Sequence, residues 1–296
     1  MLKISRNNVV YAMCPSNKPV LTVEPGTTIE FETADALGGQ IQSASDRLGG
    51  LDWNRINPAT GPVYVNSAEP GDALSVKIEK INIDSKGVVM TGKDMGVFGH
   101  ILSRESIKIV PIEGGFAAFS DKISLPLNKM VGVIGTAPKT DAIPTGVPCT
   151  HGGNMDCKEI REGVTLLLPV YVPGALLAMG DIHAVMADGE VGVTGVEIAG
   201  SVVVTIDVLK HISLPSPMLF SDSHVMTVAS NEDLDKAVES AVMNMADYLV
   251  YVHDFPQDEA AMLLSLAGDV RICQVVVPKK TARVELLKKY LPHDCI

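Results

Sequence analysis

From residue 1 to about 220 the chain is a succession of short, β-branched apolar runs, each cut within a few residues by Gly, Pro, Asp or Asn. That rhythm leaves little room for long amphipathic helices and favours a β-sandwich or barrel over a wound α/β sheet. Val20–Val23 is followed by Pro25-Gly26 and then by Thr28–Glu32. Ala73–Ile83 alternates over much of its length, with Leu74, Val76, Ile78 and Ile81 on or near one face, and Glu69-Pro70-Gly71-Asp72 launches it. Val193–Ile198 and Val202–Val208 flank Ala199-Gly200-Ser201 and read as a hairpin. Between the runs lie two long Gly-rich stretches, 35–62 and 144–163. Loops of that length are functional or disordered, and these two carry Asp, His and Asn.

After about 225 the pattern changes. Ser230-Asn231-Glu232-Asp233 reads as a helix start with an acidic first turn. Leu234, Val238, Ala241, Val242, Met245 and Leu249 then recur at helical spacing. A second helix is expected from Pro256 to Ala267, closed by a left-handed cap at Gly268. Arg271–Val277 reads as a strand and Thr281–Tyr290 as a terminal helix. The expected fold is therefore mainly β with an α+β C-terminal part: a β-sandwich or barrel-like body followed by a small helix-strand-helix region. Residues 1–225 form the body that carries the metal and substrate site. Residues 226–296 pack on that body or at an oligomer interface.

Composition removes several classes of function. Twenty-four basic residues against thirty-five acidic ones give a net charge of −11, which argues against a nucleic-acid footprint. The most apolar run, Val164–Met179, is shorter than the ~20 residues of a membrane helix and contains Pro169 and Pro173. The start lacks the apolar stretch of a secretory signal. Five cysteines, Cys14, Cys149, Cys157, Cys273 and Cys295, show no metal-finger spacing and suit a reducing cytoplasm. The GxSxG elbow, the HExxH zinc helix, the GxxxxGK[ST] phosphate loop and the GxGxxG dinucleotide turn are all missing.

Two polar clusters remain in an apolar context. One is Cys149-Thr150-His151-Gly152-Gly153-Asn154-Met155-Asp156. The other is Gly180-Asp181-Ile182-His183-Ala184, followed by Asp188-Gly189-Glu190, Thr194 and Glu197. If Asp181-x-His183 ends a strand, the period of two aims carboxylate and imidazole at the same side of the sheet. A chain that turns through Ala187–Val191 and returns as the neighbouring strand brings Glu197 to them. Carboxylate plus imidazole suits Zn²⁺, Mn²⁺ or Fe²⁺, and an all-oxygen site suits Ca²⁺. Such a metal polarises a carbonyl and makes hydroxide available at neutral pH. The plainer readings are a solvated strand face for Asp181-x-His183 and a simple turn for Asp188-Gly189-Glu190. A further alternative pairs Cys149 with His151 as nucleophile and base.

The phrases Thr60-Gly61-Pro62-Val63-Tyr64-Val65, Ala68-Glu69-Pro70-Gly71-Asp72, His151-Gly152-Gly153-Asn154-Met155-Asp156, Leu168-Pro169-Val170-Tyr171-Val172-Pro173-Gly174-Ala175 and Gly180-Asp181-Ile182-His183-Ala184 occur in this order. Together with Asp188-Gly189-Glu190-Val191, Thr194-Gly195 and Glu197 they resemble the acetamidase/formamidase family, colinearly over about 20–295. The resemblance implies a cytoplasmic, metal-dependent amidohydrolase, oligomeric as a dimer or tetramer, that cleaves small amides to carboxylic acid and ammonia. Lactam- and imide-cleaving relatives widen the implied substrate range. Thr33-x-Asp35 followed by Gly38-Gly39-Gln40 matches a family stretch near the active site and adds Asp35 to the candidates.

On this reading Asp35, Asp156, Asp181 and His183 are metal ligands, for zinc with a second cation such as calcium. Glu197 is the general base, or else a ligand. Asn154 and the amides of Gly152 and Gly153 support the oxyanion. His100, His151 and Asp188 are alternative ligands or their supports, and Trp53 walls the substrate pocket. His211, His224, His253 and His293 are expected outside the site. The rival readings are a non-catalytic metal-binding β-module and an assembly protein whose acidic cluster is a solvated rim.

Overall fold

The computed structural model describes residues 1–292, so His293 and Cys295 lie outside it. Two sheets account for most of the chain. One has nine strands, in the spatial order Leu2–Ile4, Thr27–Thr33, Gly200–Leu209, Ala73–Ile83, Thr165–Pro169, Met218–Phe220, His224–Asn231, Lys280–Leu287 and Asp269–Gln274. The other has eleven and includes Ala59–Val65, Lys86–Thr91, Met130–Gly135, Gly152–Asn154, Leu177–His183 and Glu197–Ile198. A single apolar core draws on both, with Phe31, Leu74, Ile78 and Val204 from the first sheet and Val63, Ile134, Met179 and Ile182 from the second. This is sandwich packing.

The alternation along Ala73–Ile83 is visible in burial: Leu74, Val76, Ile78 and Ile81 are all fully buried. The odd step from Ile78 to Ile81 has a structural cause. Val204 pairs with Ile78 and the preceding Val203 pairs with Lys80, so Glu79 is an extra residue in a bulge.

The expected hairpin around Ala199-Gly200-Ser201 does not form. Glu197–Ile198 pairs within the eleven-stranded sheet, whereas Gly200–Leu209 lies in the nine-stranded one, between Thr27–Thr33 and Ala73–Ile83. The chain changes sheets at Ala199. Gly200 permits the crossing, since a Cβ there would stand 2.1 Å from the Asn82 carbonyl oxygen.

The C-terminal part departs from expectation in two places. Helix α1, Leu234–His253, begins where the sequence places it, with the Asp233 carboxylate accepting from the Lys236 amide at 3.1 Å. Helix α2 runs Gln257–Ala267. The left-handed cap, however, is at Asp254 (φ 57°), after α1, while Gly268 is extended (φ −87°). The expected terminal helix is instead a strand, Lys280–Leu287, followed by a short 3₁₀ turn at Lys288–Tyr290. That strand is interior, paired with His224–Asn231 on one side and Asp269–Gln274 on the other, and both ladders outweigh local helix propensity. α1 covers this end of the sheet, where Met245, Leu249, Val225, Val284 and Leu286 form a second core. The strand His224–Asn231 spans the expected division at residue 225, and one continuous sheet joins body and C-terminal part. No described helix is long and apolar enough to cross a membrane.

An L-residue in the left-handed region carries a steric cost that glycine escapes. Asp254→Gly is expected to stabilise the fold by about 0.5–1 kcal/mol, after allowance for the more flexible unfolded chain. Urea unfolding followed by circular dichroism checks it.

Candidate metal and active site

The centre is built on the strand Leu177–His183. It lies antiparallel between Met130–Gly135 and Glu197–Ile198, in a register that sets His183 directly opposite Glu197. His183 Nε2 is 3.2 Å from Asp181 Oδ1, 3.1 Å from Glu197 Oε2 and 3.8 Å from Asp156 Oδ1. Its other ring nitrogen, Nδ1, lies 3.3 Å from Met186 Sδ. Glu190 joins from the following loop. Asp156, His183 and Glu190 offer ligand atoms within 4.8 Å of one another, and so do Asp181, His183 and Glu197.

All five groups are withdrawn from water: Asp156, Asp181 and Glu197 are each 2 % exposed, His183 1 % and Glu190 7 %. Asp156 Oδ1, Glu190 Oε2 and Glu197 Oε2 accept no hydrogen bond. Glu190 Oε1 accepts from the Gly195 amide at 3.0 Å. Buried carboxylate oxygens without donors are costly unless a cation or a proton meets them. A second sign is backbone strain, because Asp156 (φ 43°), Asp181 (φ 57°) and Glu190 (φ 44°) all occupy the left-handed region. A third is Gly132 in the adjoining strand. A Cβ there would lie 2.5 Å from Asp156 Oδ1 and 2.6 Å from Asp181 Oδ2, so the bare glycine makes the hollow in which both carboxylates sit.

Electrostatics follow from burial. Desolvation pushes the Asp156 carboxyl well above the usual range, helped by the charges of Glu190 and Asp181. Glu197 moves well up through burial and the nearby Asp181. Burial drives Glu190 up to about 8, with the charges of Glu197 and Asp181 adding to it. For His183 burial would lower the value, but the Glu197 and Asp181 charges outweigh it and hold the imidazole well above its ordinary range. Asp181 is also opposed by burial, yet its charge and hydrogen-bond interactions with His183 bring it down. The donor set, carboxylates around one imidazole with unsatisfied oxygens, fits a divalent cation.

A cavity of about 420 Å³ reaches the cluster from outside. Its lining includes Glu197, Asp35, Arg6, Asp84 and Lys86. Glu197 is the member of the cluster that faces it. Asp35 stands at this cavity and outside both ligand groups. Its Oδ1 accepts from the Leu37 and Gly39 amides at 2.9 and 3.0 Å, and burial raises its carboxyl.

The remaining sequence candidates are placed as follows. Asn154 is buried on the strand beside Met130–Gly135, with Oδ1 accepting no hydrogen bond. Gly152 and Gly153 are wedged into the sheet: a Cβ would stand 2.3 Å from the Ile134 carbonyl oxygen and 2.6 Å from that of Val147. The Gly152 amide is already given to the Cys149 carbonyl at 3.1 Å. His151 is buried, neutral with a value lowered to about 4 by burial and by Lys279, and in neither ligand group. Neither of its ring nitrogens is hydrogen bonded, so a Cys149–His151 pair does not form; Cys149 Sγ accepts from Lys279 Nζ at 3.4 Å. Trp53 is 45 % exposed in a 3₁₀ turn and does not line the cavity. His100 is exposed. Asp188 is paired with Arg283 and Lys158 and is not in the cluster. Three residues received no site role from the sequence: Glu190, which stood in the second polar cluster, Gly132, and Gly195, against whose Cα face the His183 ring packs. Gly132 had a legible signal, a glycine inside an otherwise apolar strand.

A two-sheet β-protein with a buried carboxylate–imidazole centre is thus defined. The chain matches the Acetamidase/Formamidase family over residues 7–147 and 139–288 and belongs to that family. It is similar to the crystal structure of an acetamidase from Bacillus halodurans, at 44 % identity and TM-score 0.96 over 98 % of each chain. It is equally similar in shape to a predicted acetamidase/formamidase from Thermoanaerobacter tengcongensis, at 46 % identity and TM-score 0.96 over 98 % of this chain and 96 % of that one. An acetamidase of Mycolicibacterium smegmatis is 37 % identical over 66 % of this chain, which spans 64 % of that protein's length.

Two outcomes are expected. Gly132→Ala fills the hollow and should weaken divalent-cation uptake about tenfold or more while far-UV circular dichroism is kept, as isothermal titration would show. The second concerns pH. Glu190 moves from 4.5 to about 8 on folding, so its protonated form is favoured and that stability is lost as pH rises between these values. His183, raised above 6.5, acts in the same direction, while the lowered Asp181 matters only below 3.8. In chelator, the thermal midpoint should fall by several degrees from about pH 5 to about pH 8, and added divalent metal should remove the fall.

Proposed function

We propose that the protein is a metal-dependent amidohydrolase that cleaves the C–N bond of small linear amides of the formamide and acetamide kind, giving carboxylic acid and ammonia. The observation that carries this reading is the set of buried carboxylate oxygens without donors at the foot of a cavity, with Glu197 belonging to both cluster and cavity. Asp156, Asp181, His183 and Glu190 would hold the cation; zinc is the first assignment, and the carboxylates around the shared imidazole are numerous enough for a second cation such as calcium. When bound, the cation polarises the amide carbonyl and acidifies water.

The chain's own groups do the rest. Met186 Sδ against Nδ1 fixes the His183 ring with Nε2 toward the carboxylates. Asp181 and Glu197 flank that nitrogen at 3.2 and 3.1 Å, so a proton on Nε2 and a bound cation would be alternatives at the same place. Glu197 takes a proton from the attacking water and returns it to the departing nitrogen, a role suited to a carboxyl whose affinity for protons burial has raised. Asn154 supplies the amide donor to the substrate oxygen, and Asp35, on the cavity wall, accepts from the substrate N–H.

The test is ammonia release from formamide, acetamide and a cyclic imide, before and after chelation and with metal added back. Activity on the linear amides that disappears with the metal and returns with it is expected; full activity in verified metal-free protein would overturn the reading. Glu197→Gln is expected to lower kcat by about 10²–10⁴-fold. Metal content by elemental analysis should stay near the parent's in that variant and vanish in Asp181→Asn with His183→Ala.

A further inference from the structure

We propose that Arg283, in the C-terminal part of the chain, is a positioning residue for the centre: acting through Asp188, it holds the loop that delivers Glu190. The inference rests on the cation-binding reading above and adds to it the reason why the body's site depends on residues 269–287.

Arg283 is 1 % exposed in the interior strand Lys280–Leu287. A guanidinium at that depth needs strong partners. Nη1 and Nη2 both go to Asp188, at 2.6 Å to Oδ1 and 3.0 Å to Oδ2, while Nε goes to Glu285 at 2.7 Å. The two parallel bonds fix the plane of the Asp188 carboxylate as well as its position. Lys158 Nζ reaches the same carboxylate at 2.9 Å, and Lys158 lies two residues beyond Asp156. Asp188 therefore joins the two segments that supply Asp156 and Glu190. The backbone reinforces the joint: the Gly189 amide donates to the Cys273 carbonyl at 2.9 Å, and the Val275 amide donates to the Gly189 carbonyl at 3.2 Å. Between His183 and Glu197 the chain forms no strand, and Glu190 itself sits at φ 44°. Within the loop the Gly195 amide holds Glu190 Oε1 at 3.0 Å, but the loop has no ladder of its own, and its anchoring to the rest of the fold comes through Asp188 and Gly189.

The experiment measures Zn²⁺ affinity by competition with a chelating dye, with circular dichroism and thermal unfolding as controls, on the parent protein and on Asp188→Asn, Arg283→Lys, Glu190→Gln and the Arg283→Lys/Glu190→Gln double variant. Arg283→Lys keeps the charge and removes the fork. Asp188→Asn and Arg283→Lys are each expected to weaken zinc about 10–100-fold with the fold kept. Because Arg283 acts through Glu190, the double variant should bind within about threefold of Glu190→Gln alone. Affinities of the two single variants equal to the parent's, or losses that multiply in the double variant, overturn the inference. A parent protein that takes up no zinc overturns the cation-binding reading itself, which separates the two failures. Should Arg283→Lys not fold, Asp188→Asn, at a side chain 27 % exposed, carries the same cycle with Glu190→Gln.

Discussion

Four carboxylates are taken out of water around one imidazole, and this electrostatic load organises the molecule. Two like charges within 4.8 Å repel by roughly 3–4 kcal/mol at an effective dielectric of about 20, before any desolvation cost. One imidazolium cannot offset four anions. The fold answers with raised carboxyl values, left-handed backbone at three of the four acidic positions and a glycine floor under two of them. Each of these is unfavourable alone. Together they are the features of a donor set that a divalent cation would fit, built on strands of one sheet and the loops beside them.

Legibility in the sequence followed the reach of the rule applied. Asp181-x-His183 and Glu197 could be brought together because alternation along a strand and return on its antiparallel neighbour are both short-range, and the register His183 opposite Glu197 follows from them. This holds although Asp181 leaves regular strand geometry, at φ 57°. Glu190 could not be found this way. Asp188-Gly189 marks the turn correctly, but the inward course of the next side chain involves contacts no turn rule supplies: the Gly195 amide on its carboxylate, and the Gly189 and Asp188 contacts to Cys273 and Arg283 much later in the chain. Apolar patterning fixed the core face of Ala73–Ile83, while the bulge at Glu79 needed the partner strand to be seen.

The misread elements share that cause. Thr281–Tyr290 has acceptable helix formers, and only its place between two strands makes it extended. Ala199-Gly200-Ser201 has hairpin composition, and only the separation of the two sheets turns it into a crossing. Gly152 and Gly153 sit next to functional-looking polar residues, yet their lack of a Cβ is explained by the Ile134 and Val147 carbonyls. In each case a long-range pairing decided between local alternatives of similar energy.

The sheet crossing at Ala199 also explains how chemistry and stability are coupled. Glu197 opens the last short strand of the sheet that bears the cluster, and three residues later the chain starts an interior strand of the other sheet, with Val202 and Val204 in the common core. That second sheet continues through Met218–Phe220 and His224–Asn231 to Lys280–Leu287, the strand that carries Arg283. From Glu197 the chain thus crosses at Ala199 into the hydrogen-bonded sheet that also contains Arg283. The cluster, drawn from residues 156 to 197, is thereby tied into both sheets, through the Glu197–Ile198 pairing on one side and the Gly189 and Asp188 contacts to the C-terminal strands on the other. Burial beside one another, rather than any single contact, is what sets the electrostatic character of these carboxylates.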